Sequence, residues 1–294
     1  GRSIVENVAF SDDILATMEG MRRLGARIED LGGGTLAVDG IGQGQTISGL
    51  PEIDCKESGS TLRFLIPVAL GLARGARFTG QGNLGKRPLD VYTDIFDGQG
   101  VAYQAQGPLL DFRVSGQLRA GTFSMRGDVS SQFITGLLFI LPLMAEDSEL
   151  VITTHMESKS YVDMTLSVLA DFGIRVKNEA YRRFAIPGGQ KYRAGRYRVE
   201  GDFSQAAFFL CAGAMGSAVQ VEDVKRDSLQ GDSAVLDILQ RMGAKVCWED
   251  GAVRCRAEAL CAVDIDASQC PDIIPVVSAA AALCKGKTTI RNAG

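Results

Sequence analysis

Short polar segments standing in front of apolar ones carry the residues in this chain that could do chemistry. The first is ESGSTLRF, residues 57–64. Small residues at a helix start let backbone N–H groups approach an anion, and the helix dipole adds about half a positive charge there. Gly59 and Ser60 are its candidate contacts, although an ordinary Ser/Thr N-cap reads the same way, and Arg63 is either a ligand or a solvated charge. Next, Gly85-Lys86-Arg87-Pro88-Leu89 lies between a strand expected over 76–79 and a helix expected over 89–96, with Pro88 suited to the first helical position. Two adjacent cations there oppose the dipole unless an anion sits between them, so Arg87 is a candidate for a phosphate or carboxylate. The preceding GQGNLG matches G-x-G-x-x-G, but no acid follows at the required distance, and a turn explains it. Ser130-Ser131-Gln132 offers two hydroxyls and an amide at another helix start, more donors than one cap requires; both readings stay open. Ser158 and Tyr161, in ESKSY, supply a hydroxyl and an amphipathic ring, or a capping motif with a surface lysine. Asp272, in CPDIIP, puts a carboxylate before an apolar helix. That is a normal N-cap, or a general base if the helix starts face one cleft and hold a phosphate.

A repeat would bring these segments together. In MRRLGARI, FDGQGVAY, LADFGIRV and QRMGAKVCW a helical pattern ends in glycine and passes into a strand, and the glycines at 25, 100, 173 and 243 are 75, 73 and 70 residues apart. The polar helix openings at Ser60, Ser131, Ser204 and Asp272 run in phase, at spacings of 71, 73 and 68. A period of about 70 implies a duplicated supersecondary unit: strand, apolar helix, strand, amphipathic helix, then strands. The apolar helices, expected over 62–72, 133–144, 206–215 and 273–283, should be covered on all sides. The amphipathic ones, such as 161–172, should lie partly in solvent. Helices packed inside sheets follow from that division.

At 294 residues, two domains are expected, and a composition change near 198–201 is where the boundary should fall. A net charge of −4 gives no general attraction for nucleic acid or anionic lipid, so an anionic ligand must be held by local donors. No basic and apolar leader opens the sequence, and the apolar stretches are too short to span a bilayer, which predicts a cytoplasmic protein. Seven cysteines without a C-x-x-C pair are expected to be reduced and buried. The single histidine, His155, falls in an alternating run over 150–156, which leaves no zinc site and no histidine triad to build.

Taken together, ESGSTLRF, GKRPLDV, DVSSQF, ESKSYVDMT, EGDFSQAAFFL and the stretch from RDSLQGD to MGAKV resemble the 5-enolpyruvylshikimate-3-phosphate synthase family, in its order and spacing, over essentially the whole chain. The resemblance implies an α/β (α+β) fold of two inside-out domains built from repeated βαβαββ units, as in enolpyruvyl transferases. Residues 1–199 would form the first domain, on the shikimate 3-phosphate side, with three repeat units of which the first is incomplete; 200–294 would be part of the second. It further implies that Ser130, Ser131 and Ser158 hold the 3-phosphate of shikimate 3-phosphate, that Tyr161 lies against its ring, and that Gln132 touches both substrates. Gly59 and Arg87 match phosphoenolpyruvate positions, with Ser60 and Arg63 as further candidates; Asp272 matches the base that takes the 5-hydroxyl proton. Neither metal nor organic cofactor is implied, the partners are the two small-molecule substrates, and a monomer is expected. The sequence begins after the family's N-terminal Lys-Ser and Arg segment and ends before its last basic and acidic motifs, so these 294 residues by themselves are expected not to turn over. Two rivals are a catalytically inactive remnant that still binds shikimate 3-phosphate, and a UDP-N-acetylglucosamine enolpyruvyl transferase, against which SSQ, ESKSY and KRP argue.

Overall fold

A computed structural model describes residues 1–42, 47, 49–257 and 259–293. The chain divides into two compact units, one of Gly1–Met156 with Thr165–Val199 and the other of Glu157–Met164 with Glu200–Gly294.

The first unit opens with β1 (Arg2–Glu6), α1 (Asp12–Arg23), β2 (Arg27–Gly32) and β3 (Thr35–Asp39). Then come β4 (Glu52–Asp54), α2 (Gly59–Ala73), β5 (Gly75–Thr79), α3 (Asp90–Gln99), β6 (Ala102–Ala105) and β7 (Asp111–Ser115), a complete βαβαββ unit with sheet order β4-β5-β7-β6. It recurs as β8 (Thr122–Met125), α4 (Ser131–Ile140), β9 (Ser148–Ile152), α5 (Lys159–Asp171), β10 (Lys177–Glu179) and β11 (Arg183–Ile186), in the equivalent order β10-β11-β9-β8. In both, the first strand pairs parallel with the second and the rest of the ladder is antiparallel. The opening sheet lacks its own first strand among the described residues, and β12 (Arg196–Arg198) takes that position, parallel to β1 with Ile4 opposite Arg196.

The second unit repeats the scheme with shorter pieces: α6 (Phe203–Ala214), α7 (Ala234–Arg241), the antiparallel pair β13 (Lys245–Glu249) and β14 (Ala252–Arg256), then β15 (Asp264–Asp266), α8 (Ile274–Ala281) and β16 (Thr289–Arg291), with β15 parallel to β16. Mixed sheets with helices make this an α/β fold. The four phase-marking glycines sit just past α1, α3, α5 and α7 with φ of 96°, 68°, 83° and 102°. A left-handed residue there lets the chain leave the helix and satisfy its last carbonyls, and glycine does so without a Cβ clash.

The core of the first unit is helical. α2 buries Leu62, Leu65, Ile66, Val68 and Leu70, each side chain contributing on the order of 1.5–3 kcal/mol relative to exposure. α4 packs against α2 so closely that a Cβ at Gly136 would strike the Tyr92 hydroxyl and the carbonyl of Arg63. That hydroxyl donates to the Arg63 carbonyl at 2.7 Å and the Phe133 carbonyl at 3.1 Å, pinning α3 to both helices. In the second unit Phe203, Leu210, Val235, Ile238, Leu239, Val253, Ile265, Ile273 and Val277 form the core.

Several expectations need correction. α6 is not covered on all sides: Phe208 and Phe209 are 53% and 58% exposed, and beyond α8 Leu283 is 64% exposed. Pro88 does not open a helix, because a 3-10 turn (Leu84–Lys86) comes first and α3 starts at Asp90, leaving Arg87 in extended backbone. α4 passes into 3-10 geometry at Leu141–Leu143, where Pro142 has no N–H for a helical bond. β9 stops at Ile152, so His155 lies outside the strand. Cys261 is exposed; the other cysteines are buried or half-buried, and burial pushes the Cys55 and Cys255 thiols up to about 12. Among the described residues no helix is long and apolar enough to cross a membrane.

Candidate active site

Each unit carries its own group of the residues singled out from the sequence. In the first unit the group is built on the N-termini of α2 and α4. Ser58 caps α2, accepting from the Thr61 N–H at 3.2 Å, and its hydroxyl also lies 2.8 Å from that of Thr61 and 3.2 Å from that of Ser60. The cap is therefore Ser58, while Gly59 and Ser60 occupy the first turn, where N–H groups have no intrahelical acceptor. Arg87 lies directly against Gly59: a Cβ there would collide with Nη1 of its guanidinium.

Arg63 is 7% exposed, which decides between the ligand and the solvated charge in favour of a built-in cation. Its Nη1 donates to Oε1 of Gln132 at 2.8 Å, its Nη2 to the carbonyl of Pro88 at 3.5 Å, and its guanidinium stacks 4.8 Å from the centre of the Phe133 ring. Nε is buried without a partner. Burial, followed by the neighbouring Arg87, lowers the Arg63 pKa from its usual value. Fixing Oε1 of Gln132 on Arg63 leaves the Gln132 amide to present its N–H donors elsewhere. Ser130 caps α4, accepting from the Gln132 N–H at 3.3 Å, and Ser131 begins the helix, 8% exposed. The first unit thus brings Gly59, Arg63, Arg87 and Gln132 together, with Ser130 and Ser131 beside Gln132.

In the second unit the group surrounds Asp272. That residue is not an N-cap: it lies exposed in the 3-10 turn Pro271–Ile273, with no side-chain cap bond, because the turn already continues into α8. Its Oδ2 instead accepts a 2.6 Å hydrogen bond from the Tyr161 hydroxyl. Burial, that hydrogen bond and the charges of Asp272, Asp232 and Asp202 all raise the Tyr161 pKa, so the phenol stays protonated as a donor. Ser158 precedes the helix start with φ at +51°, a left-handed conformation that L side chains rarely adopt, and its carbonyl accepts from the Tyr161 N–H at 3.2 Å.

Sequence reasoning missed Asp232 and Gln230. Both lie in the quoted RDSLQGD motif, yet the pattern of an acid after a turn glycine reads as surface, whereas Asp232 is 6% exposed. Burial and the charges of Asp272 and Asp202 raise its carboxyl to about 6.

The family model for EPSP synthase (3-phosphoshikimate 1-carboxyvinyltransferase) matches residues 1–294. Relatives named 3-phosphoshikimate 1-carboxyvinyltransferase include one from Clostridium beijerinckii, 53% identical over 303 residues, and one from Clostridioides difficile, 50% identical over 301; each match covers 100% of this chain and 69% of the relative. Among solved structures, an EPSP synthase from Acinetobacter baumannii superposes with a TM-score of 0.81 at 23% identity, covering 99% of this chain and 67% of that one. The enolpyruvyl transferase NikO from Streptomyces tendae superposes with a TM-score of 0.71 at 18% identity, covering 99% and 69%; at these identities the likeness speaks to fold alone. With a whole-chain family match and relatives half identical to it, this chain belongs to the EPSP synthase (3-phosphoshikimate 1-carboxyvinyltransferase) family.

Proposed function

We propose that the protein transfers the enolpyruvyl group of phosphoenolpyruvate to the 5-hydroxyl of shikimate 3-phosphate and releases phosphate. In this reading the 5-hydroxyl oxygen attacks C2 of phosphoenolpyruvate as its methylene carbon takes a proton, and Asp272 accepts the hydroxyl proton. The ketal so formed loses phosphate as a proton leaves the methyl carbon and the double bond returns.

The observation that carries this reading is the Tyr161–Asp272 hydrogen bond. It holds a carboxylate in one orientation by a neutral donor, which leaves the second oxygen as an acceptor for a substrate proton. The first unit's residues suit the anionic partner: Arg87 and the N-terminus of α2 for the carboxylate and phosphate of phosphoenolpyruvate, Ser130 and Ser131 for the 3-phosphate, and Gln132, oriented by Arg63, for hydrogen bonds to both substrates. Ser158 adds a hydroxyl for the 3-phosphate and Tyr161 a ring face for the carbocycle. The two substrates repel each other, so fixed donors offset that repulsion before reaction begins.

A phosphate-release assay with both substrates tests the reading. Release that requires both compounds is expected. Release unaffected by omitting shikimate 3-phosphate, or supported by UDP-N-acetylglucosamine in its place, overturns it. Calorimetry that finds binding of shikimate 3-phosphate without any turnover would favour the inactive-remnant reading.

A further inference from the structure

One buried hydroxyl ties together the two helices that carry the first unit's group of residues. Pro67 lies inside α2, four residues after Arg63, so the N–H that would close the helical bond to the Arg63 carbonyl is the one proline lacks. A buried carbonyl needs a donor from elsewhere. The wholly buried Tyr92 supplies it: its hydroxyl lies 2.7 Å from the Arg63 carbonyl on α2 and 3.1 Å from the Phe133 carbonyl on α4.

Three residue choices make this junction. Pro67 withholds a donor, Tyr92 provides one, and Gly136 lets α4 come close enough to share it, since a Cβ there would strike the hydroxyl and also come within 3.1 Å of the Pro67 ring. The Tyr92 ring stands edge-on to Phe133 with centroids 4.8 Å apart and stacks on Phe96 at 5.8 Å, which fixes the direction of its hydroxyl. The Arg63 guanidinium lies 4.8 Å from the centre of the same Phe133 ring. The junction borders the 2.8 Å Arg63–Gln132 hydrogen bond on both sides: one accepting carbonyl belongs to Arg63 itself, and the other to Phe133, the residue after Gln132.

We propose that Tyr92 is a positioning residue for phosphoenolpyruvate: its hydroxyl holds α2 and α4 at the spacing where Arg63 reaches Gln132. This inference rests on reading Gly59, Arg87 and Gln132 as phosphoenolpyruvate contacts. Gly59, with Arg87 against it, stands at the start of α2, and Gln132 stands at the start of α4, so these contacts are divided between the two helices. The shikimate 3-phosphate contacts of this unit, Ser130, Ser131 and Gln132, sit together at the start of α4 alone. A change in helix spacing therefore weakens phosphoenolpyruvate binding first, because binding groups act together only when they are held in register.

The test uses the intact protein and Y92F, which keeps the ring and loses the donor. KM for phosphoenolpyruvate should rise about five- to tenfold, with kcat and KM for shikimate 3-phosphate within about twofold. In a Q132A background the same substitution should change KM by less than about twofold, because its effect passes through Gln132. Equal effects in the two backgrounds, or an unchanged KM in Y92F, overturn the proposal. P67A returns an N–H to the Arg63 carbonyl without tying α4 to it, so Y92F/P67A should recover thermal stability and keep the raised KM. Recovery of KM as well would make the hydroxyl a local donor only and refute its positioning role. Should Y92F not fold, replacing Tyr92 by 4-fluorophenylalanine fills the same space without a hydrogen to donate and should give the same rise in KM. A further arm does not depend on turnover: in 15N NMR of the ligand-free protein the Gln132 side-chain amide signal, identified by its loss in Q132A, should move in Y92F toward its position in R63K. A signal that stays at its wild-type position refutes the coupling even in an active enzyme. If the wild type releases no phosphate, the functional reading fails, while this arm still decides whether Tyr92 holds Gln132 in place.

Discussion

The two units use one repeat to solve opposite electrostatic problems. At the α2 and α4 starts of the first unit, side chains gather positive charge: Arg63 is buried over the Phe133 ring with Arg87 nearby, and the guanidinium that loses water is repaid by Gln132 and the ring face. In the second, they gather negative charge: Asp202, which accepts from the Ser204 N–H at the start of α6, Asp272, which accepts from the Tyr161 hydroxyl in the turn before α8, and the buried Asp232 in the turn before α7. Backbone geometry at a helix start favours anions in both places. The difference therefore lies in side chains laid onto a shared frame: one unit reinforces the helix field and the other opposes it.

Substitutions at Asp272, the proposed base, should break this contrast most. D272N removes the proposed proton acceptor and should lower kcat about 10²–10⁴-fold while leaving KM for shikimate 3-phosphate within about threefold, read by phosphate release. Unchanged turnover would remove Asp272 from the chemistry. On the cationic side, G59A forces the Arg87 guanidinium away from the α2 start. KM for phosphoenolpyruvate should rise about tenfold, or about 1.4 kcal/mol, with little change for shikimate 3-phosphate. An equal rise in both would mean that Arg87 does not distinguish the substrates.

Stability against pH sharpens the acidic side. A carboxyl whose folded pKa of about 6 exceeds its unfolded value of 3.8 contributes stability that is fully present below about pH 3.8 and is lost as pH rises through about 6. D232N escapes that loss. Between pH 4 and pH 7.5 it should gain about 1–2 kcal/mol on the wild type once local relaxation offsets part of the shift, measured from denaturant midpoints. Parallel pH curves for the two proteins would show that Asp232 is solvated. The smallest effect concerns Ser158, whose φ of +51° suits glycine better. S158G should stabilise the fold by about 0.5–1 kcal/mol in thermal melts and weaken binding of shikimate 3-phosphate. A variant that binds as tightly as the wild type would leave the strained hydroxyl without a purpose.

What the sequence made legible was local. Gly25, Gly100, Gly173 and Gly243 marked the repeat because each ends a helix in a conformation that glycine tolerates best. Ser130 and Tyr161 stood out because helix starts have a recognisable pattern. Burial and long-range partners did not show. Arg63 reads identically as a surface or a core cation until Phe133 and Gln132 close over it, and Asp232 gives no sign that its turn is pressed into the protein. Asp272 stayed open between a cap and a base because the local pattern cannot tell an α-helical start from a 3-10 turn leading into one. Phe208 and Phe209 were expected to be covered because apolar character says how much a helix would gain from a partner, not whether one is there.

The pairing of β12 with β1 has a consequence for how the protein is made. Asn7 and Val199, joined by a 2.8 Å hydrogen bond just beyond that pairing, are 192 residues apart. At ribosomal speeds of about 5–20 residues per second, the edge of β1 waits about 10–40 s for its neighbour to be synthesised. Throughout that interval it offers unpaired N–H and C=O groups to any passing strand, so this sheet leaves the nascent chain open to aggregation for longest, and chaperone contact should be concentrated there.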